Sequence, residues 1–181
     1  MTGASRLFGG YIVLTPDDGS PVLRVPYAGY NGDYQAIRVL TPTPAGFPWL
    51  ATLASEVFSN QPAGALFTLQ DGDLPFILFH LDHQSRQLKL EVFEAATGRS
   101  SGFAEIDDFV IRNTSATSFF YSVWDGTTMT RPGGETRPVP NGTYRIEISV
   151  LKALGDPANP AHVERWTSPN ITIARPAPVT P

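Results

Sequence analysis

The chain contains no cysteine in its 181 residues, which excludes a disulfide scaffold and a thiolate metal site. It has little lysine: of 13 basic residues only Lys89 and Lys152 are lysine, and the arginines are scattered. Without a basic stripe, nucleic acid is not an expected partner. Long apolar runs are missing too. The longest, Leu74 to Leu81, contains Pro75 and His80, far short of the roughly 18 residues of a membrane-spanning helix. Met1 is followed by Thr-Gly-Ala-Ser, without the basic start and apolar stretch of a secretory leader. The absence of cysteine fits a secreted bacterial protein or an oxidation-proof cytosolic one, and does not choose between them.

What is abundant is proline, at 17, and glycine, at 16, as chains with many short strands require. Hydrophobic residues make up 41%, enough for a real core in a chain of this length. Tyr144, Ile146, Ile148 and Val150 alternate with Thr143, Arg145, Glu147 and Ser149, directly after the turn Pro140-Asn141-Gly142. One apolar and one polar face at period two predicts a half-buried strand.

The pattern recurs. Tyr11 to Thr15 and Val22 to Pro26 flank a turn cluster and read as a hairpin, followed by a strand from Tyr34 to Leu40. From Pro48 to Phe58 the residues Trp49, Leu50, Leu53, Ala54 and Val57 fall at helical spacing, which predicts one short helix. Strands are then expected at Leu66 to Leu69, Phe76 to Leu81, Leu88 to Glu94, Phe109 to Arg112, Phe119 to Trp124, Thr143 to Leu151 and Ile171 to Ala174. About seven strands in roughly 110 residues is the density of an immunoglobulin or fibronectin type III-like β-sandwich. The expected fold is therefore all-β. Residues 1–60 would hold the last strands of a first sandwich and a connecting segment, residues 61–176 a second sandwich, and residues 177–181 a proline-rich tail. The first segment, with only two or three strands, is expected to leave an apolar face open at some of Ile12, Leu14, Leu23 and Val25.

Candidate chemistry is sparse. Gly98-Arg99-Ser100-Ser101-Gly102 matches the G-x-S-x-G nucleophile elbow, with Asp107 and His162 in the order of an α/β-hydrolase. No helical stripe follows Ser100, so a hairpin turn is the better reading. His80, Asp82 and His83 suggest metal ligands, but residues 80 and 83 face opposite sides of a strand unless the chain turns between them. Asp71-Gly72-Asp73 resembles a fragment of a calcium loop and lacks the closing glutamate. Asn113, Asn141 and Asn170 head glycosylation sequons. Trp49, Trp124 and Trp166 would suit either sugar stacking or core packing, the latter being the commoner use. No catalytic, cofactor or metal residue is assigned.

Three stretches carry a resemblance. Val25-Pro26-Tyr27-Ala28-Gly29-Tyr30-Asn31-Gly32-Asp33-Tyr34 resembles the V-P-Y-x-G-x-x-G-D segment of the fibronectin type III-like domain behind the catalytic domain of large subtilisin-like serine peptidases. Trp124-Asp125-Gly126-Thr127 with Val139-Pro140-Asn141-Gly142-Thr143-Tyr144 is similar to the W-D-G-T and P-x-G-x-Y hairpin of the next such domain. Val150 to Pro157 with Glu164 to Pro169 is similar to that domain's closing region in bacterial members. The resemblance implies a secreted or cell-envelope peptidase whose catalytic domain lies upstream, with protein substrates. Neither G-T-S-x-A nor H-G-T-H occurs in this sequence, so no catalytic residue carries over. The expected role is a non-catalytic accessory region that braces, spaces or presents an exosite. The alternative is a stand-alone extracellular binding module for glycan or cell-surface protein.

Overall fold

The computed structural model describes residues 6–177. The start Met1 to Ser5, and the tail from residue 178 on, lie outside the described residues. The fold is all-β, with 49% of residues in strands and no helix of seven residues or more. The chain divides into two compact units at 37/38.

The first unit is one antiparallel hairpin. Strand β1 (Arg6–Leu14) pairs with β2 (Leu23–Asn31) along their whole lengths, from Leu14 against Leu23 to Arg6 against Asn31. The register places Phe8, Ile12, Leu14, Leu23, Val25 and Tyr27 on one face. All six are about half exposed. Tyr34 to Leu40, expected as a strand, instead forms a 3-10 turn at Tyr34–Ala36. The Asp33 carboxylate accepts the Gln35 amide and caps that turn. Leu40 keeps a single bridge to Leu81.

The second unit is a β-sandwich. Its strands are β3 (Trp49–Ala54), β4 (Val57–Asn60), β5 (Ala65–Phe67), β6 (Phe76–Phe79), β7 (Ser85–Glu94), β8 (Ser100–Asp108), β9 (Phe120–Val123), β10 (Thr127–Thr128), β11 (Arg137–Pro138), β12 (Gly142–Lys152), β13 (Val163–Thr167) and β14 (Ile171–Ile173). The larger sheet has the order β5-β14-β12-β7-β8, with β13 also on β12; the smaller is β4-β3-β6-β9. Strand β12 changes partner halfway. Its start pairs with β14 and its end with β13, and at the break the Ser168 hydroxyl accepts the Ile146 amide at 2.9 Å. Inner faces of both sheets meet in one core: Leu50, Ile77 and Phe79 from the smaller, and Leu88, Leu90, Val92, Ile146, Ile148 and Val150 from the larger.

The segment read as a helix is a β-hairpin. Ser55 and Glu56 take positive φ (48° and 64°) and make a two-residue turn between β3 and β4. The helical spacing arose because both faces of β3 are apolar: Leu50 enters the main core, while Ala51 and Trp49 pack on the outer side. A strand buried on both sides loses its period-two signature. Because β3 pairs with β6, residues 49–60 belong to the sandwich sheet, whereas the sequence reading grouped them with the first segment. Phe109 to Arg112, expected as a strand, is irregular, and β8 and β13 were not anticipated. Both lie toward sheet edges, where one side is solvated and apolar periodicity is weak.

Segment 38–40 is fastened to the sandwich by the Leu40–Leu81 bridge, by the Asp82 amide on Val39 O at 2.9 Å and by a carboxylate. Glu164 accepts the amides of Val39 (2.9 Å) and Leu40 (2.7 Å) and pairs with Lys152 Nζ at 3.2 Å.

Candidate functional site

The W-D-G-T and P-x-G-x-Y residues form a structural corner. Asp125 Oδ1 accepts the Thr127 amide at 2.8 Å and its hydroxyl at 2.7 Å, and Gly126 takes φ 81°. A Cβ at Gly126 would collide with Leu69 and Arg175, so glycine is required there for space as well as backbone. The buried Trp124 indole donates to Thr127 O at 2.7 Å and meets the Tyr144 ring edge-on. The Tyr144 hydroxyl donates to Pro140 O at 2.9 Å, closing the corner as a tyrosine corner does. Asn141 exchanges two hydrogen bonds with the Arg175 backbone, both at 2.9 Å, and holds the last segment on the sandwich. These residues fix register and chain path.

The elbow-like serine does not meet its would-be partners. Ser100 opens β8 opposite Phe93, and its hydroxyl donates to Glu91 Oε1 at 2.5 Å. Asp107 sits near the other end of the same strand, opposite Leu88. Seven residues of strand separate them by roughly 23 Å. His162 ends a 3-10 turn, where its Nδ1 accepts the Asp156 amide at 2.9 Å.

His80 is buried, with Nδ1 at 2.6 Å from Ser118 O and Nε2 at 3.0 Å from Asp82 Oδ1. Both ring nitrogens are thus engaged with protein groups. Burial disfavours the Asp82 carboxylate, yet hydrogen-bond donors around it, His80 among them, hold its pKa below the ordinary value. Asp73 Oδ2 accepts the Thr68 amide at 2.7 Å and hydroxyl at 2.8 Å, and Asp71 and Gly72 both take positive φ. That is turn chemistry. Among the described residues no group of three or more His, Asp or Glu side chains is placed to hold a metal ion. Asn113 is buried with Oδ1 on the Leu81 amide at 2.7 Å, which leaves that sequon no room for a glycan.

Two features escaped the sequence reading. The first is Glu105 on β8, at the edge of the larger sheet, whose largely buried carboxyl lies near the buried Ser122 of β9. Burial pushes its pKa up to about 7, and the Asp107 carboxyl two residues along adds to the rise, against the Ser122 hydrogen bond. The second is the outer face of the smaller sheet. Phe47, Ala51, Phe76 and Leu78 are buried there beneath Trp49, Phe58 and Leu74. Ring centroids lie 4.9 Å apart for Phe47–Trp49, 5.4 Å for Phe47–Phe119, 5.7 Å for Phe58–Phe119 and 5.5 Å for Phe58–Tyr121. Phe58 on β4 reaches Tyr121 on β9 although β3 and β6 lie between them, so the sheet curls around Phe76. A signal existed: Phe76-Ile77-Leu78-Phe79 is apolar at both parities, as in a strand covered on both faces.

The curled face holds an open cavity of about 470 Å³, walled by Phe47, Trp49, Phe58, Leu78 and Phe119, with Glu56 as the one charged side chain on its lining. Of the three tryptophans, Trp124 is core, Trp166 packs partly buried against the core, and Trp49 faces this cavity with its indole donating to Ala45 O at 3.1 Å.

No protein-family model matches the chain, and no curated protein matches it closely enough to count as a relative.

Proposed function

We propose that this chain is a non-catalytic accessory region of a secreted or cell-envelope subtilisin-like serine peptidase. In this reading β1–β2 are the closing strands of one fibronectin type III-like sandwich, and residues 38–177 are the next. The observation that carries it is the contrast between a closed sandwich and a hairpin of two nine-residue strands whose apolar face is open. A lone two-stranded hairpin is at best marginally stable in water, and a third partner sheet is the natural cover for it. The stretch Val25 to Tyr34, which carries the family resemblance, overlaps the second strand of that hairpin. The Trp124–Thr127 and Pro140–Tyr144 residues act within the fold as register and corner elements, the role a spacing or bracing module asks of them.

The test is whether the chain travels with a reactive serine. Antiserum raised against it would be used on the culture medium and envelope fraction of the source cells after labelling with a fluorophosphonate. The expected result is a labelled species much larger than 19.6 kDa in the precipitate. An unlabelled species of about the chain's own mass overturns the reading.

The second reading, a stand-alone extracellular binding module for glycan or cell-surface protein, is favoured by the aromatic outer face. The same precipitation separates the two readings.

A further inference from the structure

The outer face of the smaller sheet combines three things that ordinary packing does not ask for. It has a cavity of about 470 Å³ left open among Phe47, Trp49, Phe58 and Phe119. It has one charge on the lining, the carboxylate of Glu56, on an exposed turn held at positive φ. And it adjoins an unpaired strand edge, since β4 ends the smaller sheet and pairs only with β3 among the described residues.

The register shows what that edge offers. Gln61 donates its amide to Leu50 O at 2.8 Å, and the β3–β4 turn closes at Ala54 against Val57. In an antiparallel ladder the bonded pairs alternate, so Thr52 and Ser59 face inward as well. The backbone N–H and C=O of Phe58 and Asn60 therefore point to the open side. Their spacing of two residues is that of an added strand.

From these we infer that the cavity is a binding site for an arginine or lysine side chain presented on an extended polypeptide segment that adds to the β4 edge. An apolar stem of three or four methylenes fits the Phe47, Leu78 and Phe119 walls. The cation at its end lies over aromatic faces, whose quadrupole attracts it, and pairs with Glu56. A purely aliphatic side chain would use the walls and leave the carboxylate without a role. The net charge of −4 on the chain favours the approach of a basic segment. This inference does not depend on whether the chain belongs to a peptidase.

The experiment uses the full chain, labelled with ¹⁵N, and follows amide and indole shifts on titration with a capped pentapeptide, Thr-Val-Arg-Val-Thr. The same peptide with norleucine for arginine, and Nα-acetylarginine amide alone, are the comparison probes. The expected result is saturable movement of the Trp49 indole and of the Phe58 and Asn60 amides. Norleucine should weaken binding about tenfold, in line with loss of a partly desolvated cation–π contact and an ion pair. Glu56→Gln should weaken the arginine peptide several-fold and leave the norleucine peptide unchanged. Asn60→Pro, which removes an outward donor and no ladder bond, should weaken both peptides. Equal affinity for arginine and norleucine peptides, equal affinity for Nα-acetylarginine amide, or no shift up to about 10 mM peptide would each overturn the inference. Should Asn60→Pro unfold the sheet, backbone N-methylation of the peptide asks the same question of the wild-type chain, and undiminished binding then counts against strand addition.

Discussion

The hairpin β1–β2 and the strand β12 are written in the same alphabet and meet opposite fates. Both place large apolar side chains on a shared face, Tyr144, Ile146, Ile148 and Val150 on β12 and Ile12, Leu14, Leu23 and Val25 on the hairpin, although Gly10 and Gly29 interrupt the hairpin face and Leu7, Tyr11 and Val13 lie on the opposite one. On β12, Tyr144, Ile146, Ile148 and Val150 are all buried, the last three completely. On the hairpin, Ile12, Leu14, Leu23 and Val25 remain about half exposed. Alternation decides which side chains share a face. Whether that face is dry depends on a second sheet lying about 10 Å away. The larger sheet supplies β12 with neighbours on both edges and an opposing sheet; within its own unit the hairpin has neither.

That contrast can be broken by mutation. Ile146→Ala should cost about 2–5 kcal/mol in a denaturation experiment, because it opens a cavity in a filled core. Tyr144→Ala should fall in the same range, since it also strips Pro140 O of its donor. Loss of less than about 1 kcal/mol at either site would mean that the two sheets are not packed as described.

A smaller effect is expected at the sandwich edge. Glu105 has a folded-state pKa of about 7, above its ordinary value. A carboxyl whose pKa is raised by folding favours the folded state below the unfolded pKa. That contribution is lost as pH rises through about 7. Stability should therefore decline between about pH 4.5 and 7.5 by about 1–2 kcal/mol, allowing for partial solvent screening. Glu105→Gln should flatten this slope and be the more stable protein at pH 8. Asp82 acts in the opposite sense. Its lowered pKa contributes stability above the ordinary carboxylate range, which is lost as pH falls through the folded value. A pH-stability curve that is level from 5 to 8 in the wild type would refute the assignment for Glu105.

The smallest effect is the sharpest test of the comparison. Ile12→Ala, on the half-exposed hairpin, should move the global denaturation midpoint by no more than about 0.5 kcal/mol, as should Arg145→Ala on the polar face of β12. Amides of Tyr11 to Val25 should exchange with solvent far faster than those of Tyr144 to Val150. Equal protection in both segments would show that a partner, or a second copy, covers the hairpin in solution.

Much of the fold is legible in the sequence. The all-β class and the strands at residues 88–94 and 143–151 follow from period two between proline and glycine turns, and the hairpin and the strands at 76–79 and 120–123 from short apolar runs bounded by turns. The reading failed where that period is hidden. β3 has apolar residues on both faces and mimicked a helix. β8 has few large apolar residues, so residues 103–108 carry no strand signal. The candidate cavity was not legible, because its walls come from residues 43–58, 78 and 116–119, brought together by a curl of the sheet that no local pattern encodes.

What the sequence determined by itself is local: strand propensity, turn positions, and which residues share a face, all of which depend on backbone sterics within a few positions. The turn chemistry of Asp125-Gly126 and Asn141-Gly142 belongs here too. Only the tertiary structure decided the rest. It set Ser100 and Asp107 at opposite ends of one strand, buried Asn113, placed Glu164 under the amides of Val39 and Leu40, and left one aromatic face and one hairpin uncovered. The reason is physical. Burial, desolvation and ion pairing depend on which distant segments arrive opposite one another, and in a sandwich those segments are many tens of residues apart along the chain.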